Sequence, residues 1–299
     1  MTDTTAVREG LLTVDGATLH HEVRGQGPLL VLIPGGSADA GIYDTVAAEL
    51  ADRWTVASFD PRGYSRSPLD GPVADQLPRT HAEDVVRLIE LLSPDGAPAA
   101  VFGSSSSAVV ALDLLARHPG RLSRVVAHEP PVVELLPDPG AGRALFAAVR
   151  ESFRREGVAA AMATMAAGLA PDEGETPAGG EPAGDGPAPE EKADPTPEQA
   201  PTPEQAATFS RMHANLPVFL EHVLCPFSGY VPDLVALESA AARLVVGVGQ
   251  DSRALLPAVA AERLARRVDG RVAEFPGGHI GLTEDPRAFA ARLREVLLA

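Results

Sequence analysis

Eight residues, Val101-Phe102-Gly103-Ser104-Ser105-Ser106-Ser107-Ala108, constrain the fold of this chain more than any other stretch. They join an apolar run, Ala99 to Phe102, that suits a buried strand to a run that suits a helix, Ala108 to Arg117. Only small residues are left for the turn between them. A turn this sharp brings strand and helix so close that bulky side chains two positions either side of Ser105 would collide with them, and Gly103 and Ser107 meet that demand. The result is an elbow that lifts the Ser105 hydroxyl out of a sheet and points a helix N-terminus at it. Taken alone, the same stretch also suits an ordinary strand-to-helix cap, because Ser is a favoured N-cap. Its meaning depends on what surrounds it.

Upstream, Leu11 to Val14 and Ala17 to Val23 are strand-like runs joined by Asp15-Gly16, a hairpin signal. Leu29 to Ile33 is continuously apolar, as in a strand covered on both faces of a parallel sheet. It ends in Pro34-Gly35-Gly36-Ser37, a loop whose backbone N–H groups are free to face a cavity. Ile42 to Leu50 reads as a helix and Thr55 to Phe59 as a strand, followed by Asp60-Pro61-Arg62-Gly63, in which Asp60 and Arg62 are expected to pair and brace the loop. A helix over His81–Leu92 precedes the elbow, and a short strand, Arg124 to Ala127, follows it and runs into His128-Glu129-Pro130-Pro131. Strand and helix alternate with short turns, which predicts an α/β fold with a doubly wound, mostly parallel sheet and a site at the C-terminal strand ends.

That alternation stops at Pro131. From there to about Leu237 no core-type strand is found. Arg143 to Leu169 reads as one long helical pattern and Ala206 to Leu224 as another, so residues 132–237 are expected to form a mostly helical lid inserted into a core of residues 1–131 and 238–299. Within the lid, residues 171–203 are rich in Pro, Gly, Glu and Ala and read as a flexible acidic loop. His213, Asn215, Phe219 and His222 lie on the second lid helix and, with His128, are candidates to line a substrate pocket. A strand over Arg243–Val248 then leads to Gly249-Gln250-Asp251-Ser252, and a strand over Val272–Phe275 to Pro276-Gly277-Gly278-His279.

With 299 residues and 45% of them hydrophobic, the chain can bury a large core. Its net charge of −16 argues against nucleic acid and anionic membrane surfaces, which call for basic patches. The single Cys225 excludes an internal disulfide. The first ten residues carry no apolar signal core, and no stretch approaches the roughly 20 apolar residues of a membrane span, so a cytoplasmic protein is expected. Metal-ligand spacings and a nucleotide phosphate loop are not found, and the expected partner is a small molecule, with no cofactor; the sequence leaves room for a homo-oligomer.

Five motifs in order, Ile33-Pro34-Gly35-Gly36, Asp60-Pro61-Arg62-Gly63, Gly103-Ser104-Ser105-Ser106-Ser107, Gly249-Gln250-Asp251 and Gly277-Gly278-His279, give the chain from about residue 10 to 299 a resemblance to the α/β-hydrolase superfamily with a lid insertion. Pro34 stands where the family often has His, and Ser107 where it usually has Gly. The resemblance implies a serine hydrolase with Ser105 as nucleophile, His279 as base, and the N–H groups of Gly36 and Ser106 as oxyanion donors. It implies two places for the acid: Asp251, the commoner and preferred one, and Glu129, the alternative. Glu129 and Pro34 together resemble the zearalenone-lactonase branch. The implied activity is cleavage of an ester or lactone of a small, largely apolar substrate. Carbon–carbon bond hydrolysis, amide cleavage, cofactor-free perhydrolysis and a non-catalytic ligand receptor are the alternatives. A haloalkane dehalogenase is disfavoured, since it would carry Asp where Ser105 stands.

Overall fold

A computed structural model describes residues 6–169 and 201–299. Eight strands form one sheet: β1 (Arg8–Val14), β2 (Ala17–Arg24), β3 (Leu29–Ile33), β4 (Thr55–Phe59), β5 (Ala99–Ser104), β6 (Leu122–His128), β7 (Leu244–Gly249) and β8 (Arg271–Phe275). Their spatial order is β1-β2-β4-β3-β5-β6-β7-β8. The β1–β2 and β2–β4 pairs are antiparallel and all others parallel. Asp15-Gly16 makes the two-residue hairpin, with Gly16 at φ +75°.

The central strands β3, β5 and β7 are buried at every residue, which is why they read as continuous apolar runs. Alternate side chains feed two cores. Val31, Ile33 and Val101 pack with Val85, Leu88, Val109 and Leu264 on one face; Leu30, Leu32 and Phe102 pack with Val46, Leu50, Phe289 and Leu293 on the other. The chain order reverses around β3, flanked by β4 on one side and β5 on the other. The loops leaving β3 and β5 therefore part at a crevice beyond the strand ends, the usual place for a ligand in such a sheet.

Between β6 and β7 the described residues are helical: Pro139–Glu156, Val158–Leu169, Pro203–Val218, a π turn at Phe219–Val223, Leu224–Ser228 and Leu234–Ser239. Three local expectations need correction. The long helix over 143–169 is two helices, broken at Gly157, whose φ of +87° only glycine adopts freely. The second helix begins at Pro203 rather than Ala206, because Thr202 and Gln205 close a capping box. It does not run evenly to Leu224: Pro217 offers no N–H to the helical ladder, and the hydrogen-bond register widens into the π turn just after it. Most of the acidic stretch, 171–200, lies outside the described residues. Among the described residues no helix is long and apolar enough to cross a membrane.

The Asp60–Arg62 pair also does not form. Asp60, fully buried, takes Arg66 instead (Nε–Oδ2 2.8 Å, Nη2–Oδ1 2.9 Å) and accepts the Ala40 and Arg66 backbone N–H groups. Arg62 turns to the helix Pro78–Leu92 and pairs with Asp84 (Nε–Oδ2 2.7 Å). Both ions are thus satisfied, but by partners that sequence adjacency did not suggest.

The inserted helix Pro203–Val218 is tied to the core by polar bonds. Asn215 donates through Nδ2 to the Ser37 carbonyl (3.0 Å) and to Ser65 Oγ (2.9 Å), and accepts the Ser65 N–H (2.9 Å). Arg211 pairs with the fully buried Asp39. Ser37 closes the glycine loop after β3, so this helix holds that loop from above. We expect Asn215→Ala to lower stability by about 1 kcal/mol in urea unfolding, because the buried Asn215 amide gives up its bonds to the half-buried Ser37 and the exposed Ser65. Asn215→Asp is expected to be at least as damaging, since its carboxylate keeps the Ser65 N–H but meets the Ser37 carbonyl oxygen with no proton to donate.

Candidate active site

The elbow is strained where a nucleophile would sit. Ser105 has φ +58° and ψ −125°, outside the range usual for an L-residue, and its N–H is held by the His128 carbonyl (2.9 Å). Although Ser105 occupies the N-cap position of the helix Ser106–Arg117, its side chain makes no capping hydrogen bond. The ordinary-cap reading therefore fails. Close approach explains the small neighbours: a Cβ on Gly103 would lie 2.4 Å from the Ser107 carbonyl oxygen, and one on Gly35 2.2 Å from that of Ser104. Ser107 does more than fit where glycine is usual. Its hydroxyl lies 2.7 Å from the Ile33 carbonyl oxygen and accepts the Ser104 N–H (2.9 Å), stitching the elbow to the end of β3.

A second strained residue stands at the end of β6. Glu129 has φ +47°, is fully buried, and its N–H is held by the Gly247 carbonyl (3.0 Å). One carboxylate oxygen, Oε2, lies 2.6 Å from His279 Nδ1. The other, Oε1, accepts the Gly249 N–H (2.8 Å) and the Ser252 hydroxyl. Burial alone would raise the Glu129 pKa; the hydrogen bond from His279, the nearby His128 imidazole and the Ser252 hydroxyl outweigh it and hold the carboxyl below the ordinary glutamate value. A carboxylate so placed is ionised at neutral pH and orients one imidazole.

Asp251 is not part of this constellation. It lies exposed on the turn after β7, with its N–H on the Gly277 carbonyl (3.1 Å), and His279 meets Glu129 instead. The 249–252 motif still belongs to the site, but through Gly249 and Ser252, which anchor Glu129. Ser252 is a residue that sequence reasoning missed, because nothing local marks it as a carboxylate anchor.

The oxyanion loop also differs from expectation in one bond. The Gly36 N–H donates to Ser106 Oγ (2.8 Å), and Tyr64 Oη donates to the Gly36 carbonyl (3.1 Å). Gly36 has φ +60°, and the space where a Cβ would stand is open. A small cavity of about 10 Å³ lies here, lined by Gly36, Tyr64, Ser106, Val223 and Phe227 among others.

The candidate pocket residues separate. Phe219 is buried in the core packed against the inserted helices. His213 is exposed, and His222 Nδ1 pairs with Asp75 (3.1 Å), so neither joins the Glu129–His279 pair. His128 is buried, with Nδ1 2.9 Å from Ser104 Oγ and its ring edge-on to Phe275 and Phe289. Its place is behind the elbow, in the sheet's own core. Burial drives its pKa down to about 4. The unfolded chain takes up this proton near pH 6.5 and the folded chain does not, so the stabilisation is complete above pH 6.5 and is lost as pH falls toward 4. The loss is on the order of 3 kcal/mol. Thermal melting is expected to drop through this window, and His128→Gln to flatten the slope.

On the β1–β2 hairpin, Glu9, His20 and Glu22 each bring a possible metal-ligand atom within 4.8 Å of the others. Glu22 is already paired with Arg66 (2.9 Å), and the grouping reads as an ion-pair network.

Residues 30–292 match the model of the Alpha/beta hydrolase family. The chain belongs to that family. An uncharacterized hydrolase, YraK, of Bacillus subtilis (strain 168) is 31% identical over 297 residues, covering 97% of this chain and 96% of the relative. The zearalenone hydrolase of Bionectria ochroleuca is 31% identical over 127 residues, 42% of this chain and 47% of that enzyme. Among solved structures, a thermophilic esterase from Thermogutta terrifontis superposes with a TM-score of 0.70 at 19% identity, covering 97% of this chain and 98% of that one. The enol-lactonase from Burkholderia xenovorans LB400 does so at 0.65 and 18%, covering 97% and 100%. At these identities the likeness to the two structures is one of fold. The chain is thus a hydrolase of the α/β type, with its strained serine and its Glu129–His279 pair at the strand ends where such a sheet holds its ligands.

Proposed function

We propose that this α/β hydrolase cleaves a carboxylic ester or lactone of a small, largely apolar substrate through an acyl-enzyme on Ser105. His279, held through Nδ1 by Glu129, takes the Ser105 proton as the hydroxyl oxygen attacks the carbonyl carbon. The tetrahedral oxyanion is stabilised at the N-terminus of the helix Ser106–Arg117, beside the Gly36 loop. Collapse of the intermediate expels the alcohol, which receives the proton from His279, and water repeats the sequence to release the acid. The inserted helices act as a lid that excludes bulk water and shapes the acyl pocket.

The observation that carries this reading is the His279 Nδ1–Glu129 Oε2 contact of 2.6 Å; the φ of +58° at Ser105 supports it. A buried ionised carboxylate is costly unless it serves a partner. The esterase, enol-lactonase and zearalenone hydrolase among the similar proteins support an ester or lactone over an amide.

The test is labelling with a fluorophosphonate, read by peptide mass spectrometry, together with hydrolysis of p-nitrophenyl esters of graded chain length and of a macrocyclic or enol lactone. A single adduct on Ser105 and turnover of at least one substrate class are expected. Absence of both adduct and turnover would sink the proposal in favour of a ligand-binding protein that keeps the fold without the chemistry.

A further inference from the structure

The four consecutive serines of the elbow use their hydroxyl groups differently. Ser104 Oγ is engaged with His128 Nδ1 (2.9 Å), and Ser107 Oγ lies within donating distance of the Ile33 and Ser104 carbonyls (2.7 and 2.9 Å). Ser106 is the exception that is not the nucleophile. Its oxygen accepts the Gly36 N–H at 2.8 Å, but among the described residues its proton has no protein acceptor. A hydroxyl on a residue only 6% exposed, with its oxygen engaged and its proton uncommitted, is a donor awaiting a ligand.

The position of that donor follows from the elbow. Ser106 is the first residue of the helix that begins at the nucleophile, so its backbone N–H is one of the free donors of the helix N-terminus. Its side chain reaches the Gly36 N–H of the glycine loop, at a small cavity that both residues line. The Gly36 N–H, in contrast, has one hydrogen and points it at Ser106 Oγ. The loop is not free to turn that hydrogen elsewhere: Tyr64 holds the Gly36 carbonyl, Asn215 holds the Ser37 carbonyl, and Gly35 lies against the Ser104 carbonyl.

We propose that Ser106 donates twice to the oxyanion, through its backbone N–H and through its hydroxyl, and that Gly36 acts through the hydroxyl rather than directly. The chain runs from Gly36 N–H to Ser106 Oγ, and from Ser106 Oγ–H to the oxyanion. Accepting a hydrogen bond polarises the hydroxyl and strengthens the one it donates, most of all to a charged oxygen in a site closed to water. No proton changes hands at Ser106; it keeps its hydrogen throughout, while the Ser105 proton travels to His279. The inference rests on the serine-hydrolase reading given above.

The experiment compares wild type, Ser106→Ala and Ser106→Thr with p-nitrophenyl butyrate, and measures inhibition by a trifluoromethyl ketone of matching chain length, whose hemiketal adduct carries the oxyanion. Both variants keep the backbone donor, and thermal melting checks their folding. Ser106→Ala is expected to lose about 10- to 1,000-fold in kcat with KM within about twofold of wild type, and to lose ketone affinity by a similar factor. Ser106→Thr, which keeps the hydroxyl, is expected to recover most of both. If the hydroxyl instead plugs the hole at rest, Ser106→Ala will keep or raise kcat, and the proposal is overturned. A loss confined to KM, or a Thr variant as slow as the Ala variant, overturns it as well. Wild type lacking Ser105-dependent turnover would overturn the hydrolase reading itself, and this inference with it.

Discussion

Replacing Ser105 with Ala is expected to lower kcat/KM for p-nitrophenyl esters by about 10⁴- to 10⁶-fold, while the melting temperature stays near that of wild type. The two halves of the expectation have separate causes. The Ser105 hydroxyl makes no hydrogen bond to the protein among the described residues, so its removal strands no partner. Alanine inherits the same φ of +58°, and therefore the same strain, held by the same bond from the Ser105 N–H to the His128 carbonyl. In the proposed mechanism only the nucleophile is lost. Hydrolysis that survives in Ser105→Ala at more than a hundredth of the wild-type rate would remove Ser105 from the mechanism.

The second large effect separates two carboxylates. Glu129→Gln is expected to lower kcat by about 10³- to 10⁴-fold, and Asp251→Asn to stay within about twofold of wild type. Glu129 presents one oxygen to two donors, Gly249 N–H and Ser252 Oγ–H, and the other to His279 Nδ1. A glutamine can satisfy the first pair only by turning its NH₂ toward His279, which then meets a donor where it needs an acceptor. The imidazole is forced into the wrong tautomer, with its proton on the nitrogen that should receive the Ser105 proton. Asp251, exposed on its turn, has no such partner to lose. Steady-state kinetics on the two variants decide the matter, and a severe loss in Asp251→Asn with little in Glu129→Gln would reverse the assignment.

The pH dependence of stability should change with the same substitution. The folded Glu129 carboxyl titrates below its unfolded value, so its contribution is present above the ordinary glutamate pKa and is lost as pH falls through the depressed folded one. Glu129→Gln should remove that part of the acid limb. The part caused by His128 lies at higher pH, between about 6.5 and 4, and should persist.

Much of this architecture is legible in sequence because it is local. The apolar runs at 29–33, 99–102 and 244–248 have to be central strands, since nothing else buries every residue of a short β-rich run. Asp15-Gly16 has to be a turn. Gly103 and Gly35 are required by contacts of 2.4 and 2.2 Å that no Cβ survives. The crowding of small residues around Ser105 carries the elbow in the sequence itself, and the order of serine, acid and histidine loops locates the candidate site at the strand ends.

What the sequence leaves open depends on partners far away in the chain. Glu129 and Asp251 both follow core strands, and local composition cannot say which one turns toward His279. That is decided by a positive φ at Glu129 and by contacts to residues 249, 252 and 279, which lie 120 to 150 positions away. Arg62 abandons its near neighbour Asp60 for Asp84 because side-chain direction, not sequence distance, sets the pairing. The Gly36 N–H reaches the Ser106 hydroxyl across 70 residues, and Asn215 reaches Ser37 and Ser65 across 178 and 150. By itself the sequence determined the strands, the turns and the strained serine, since each is a matter of neighbours competing for space. Only the tertiary structure decided the carboxylate that meets His279 and the use of each serine hydroxyl, because a hydrogen bond is chosen by whichever groups the completed fold brings within 3 Å.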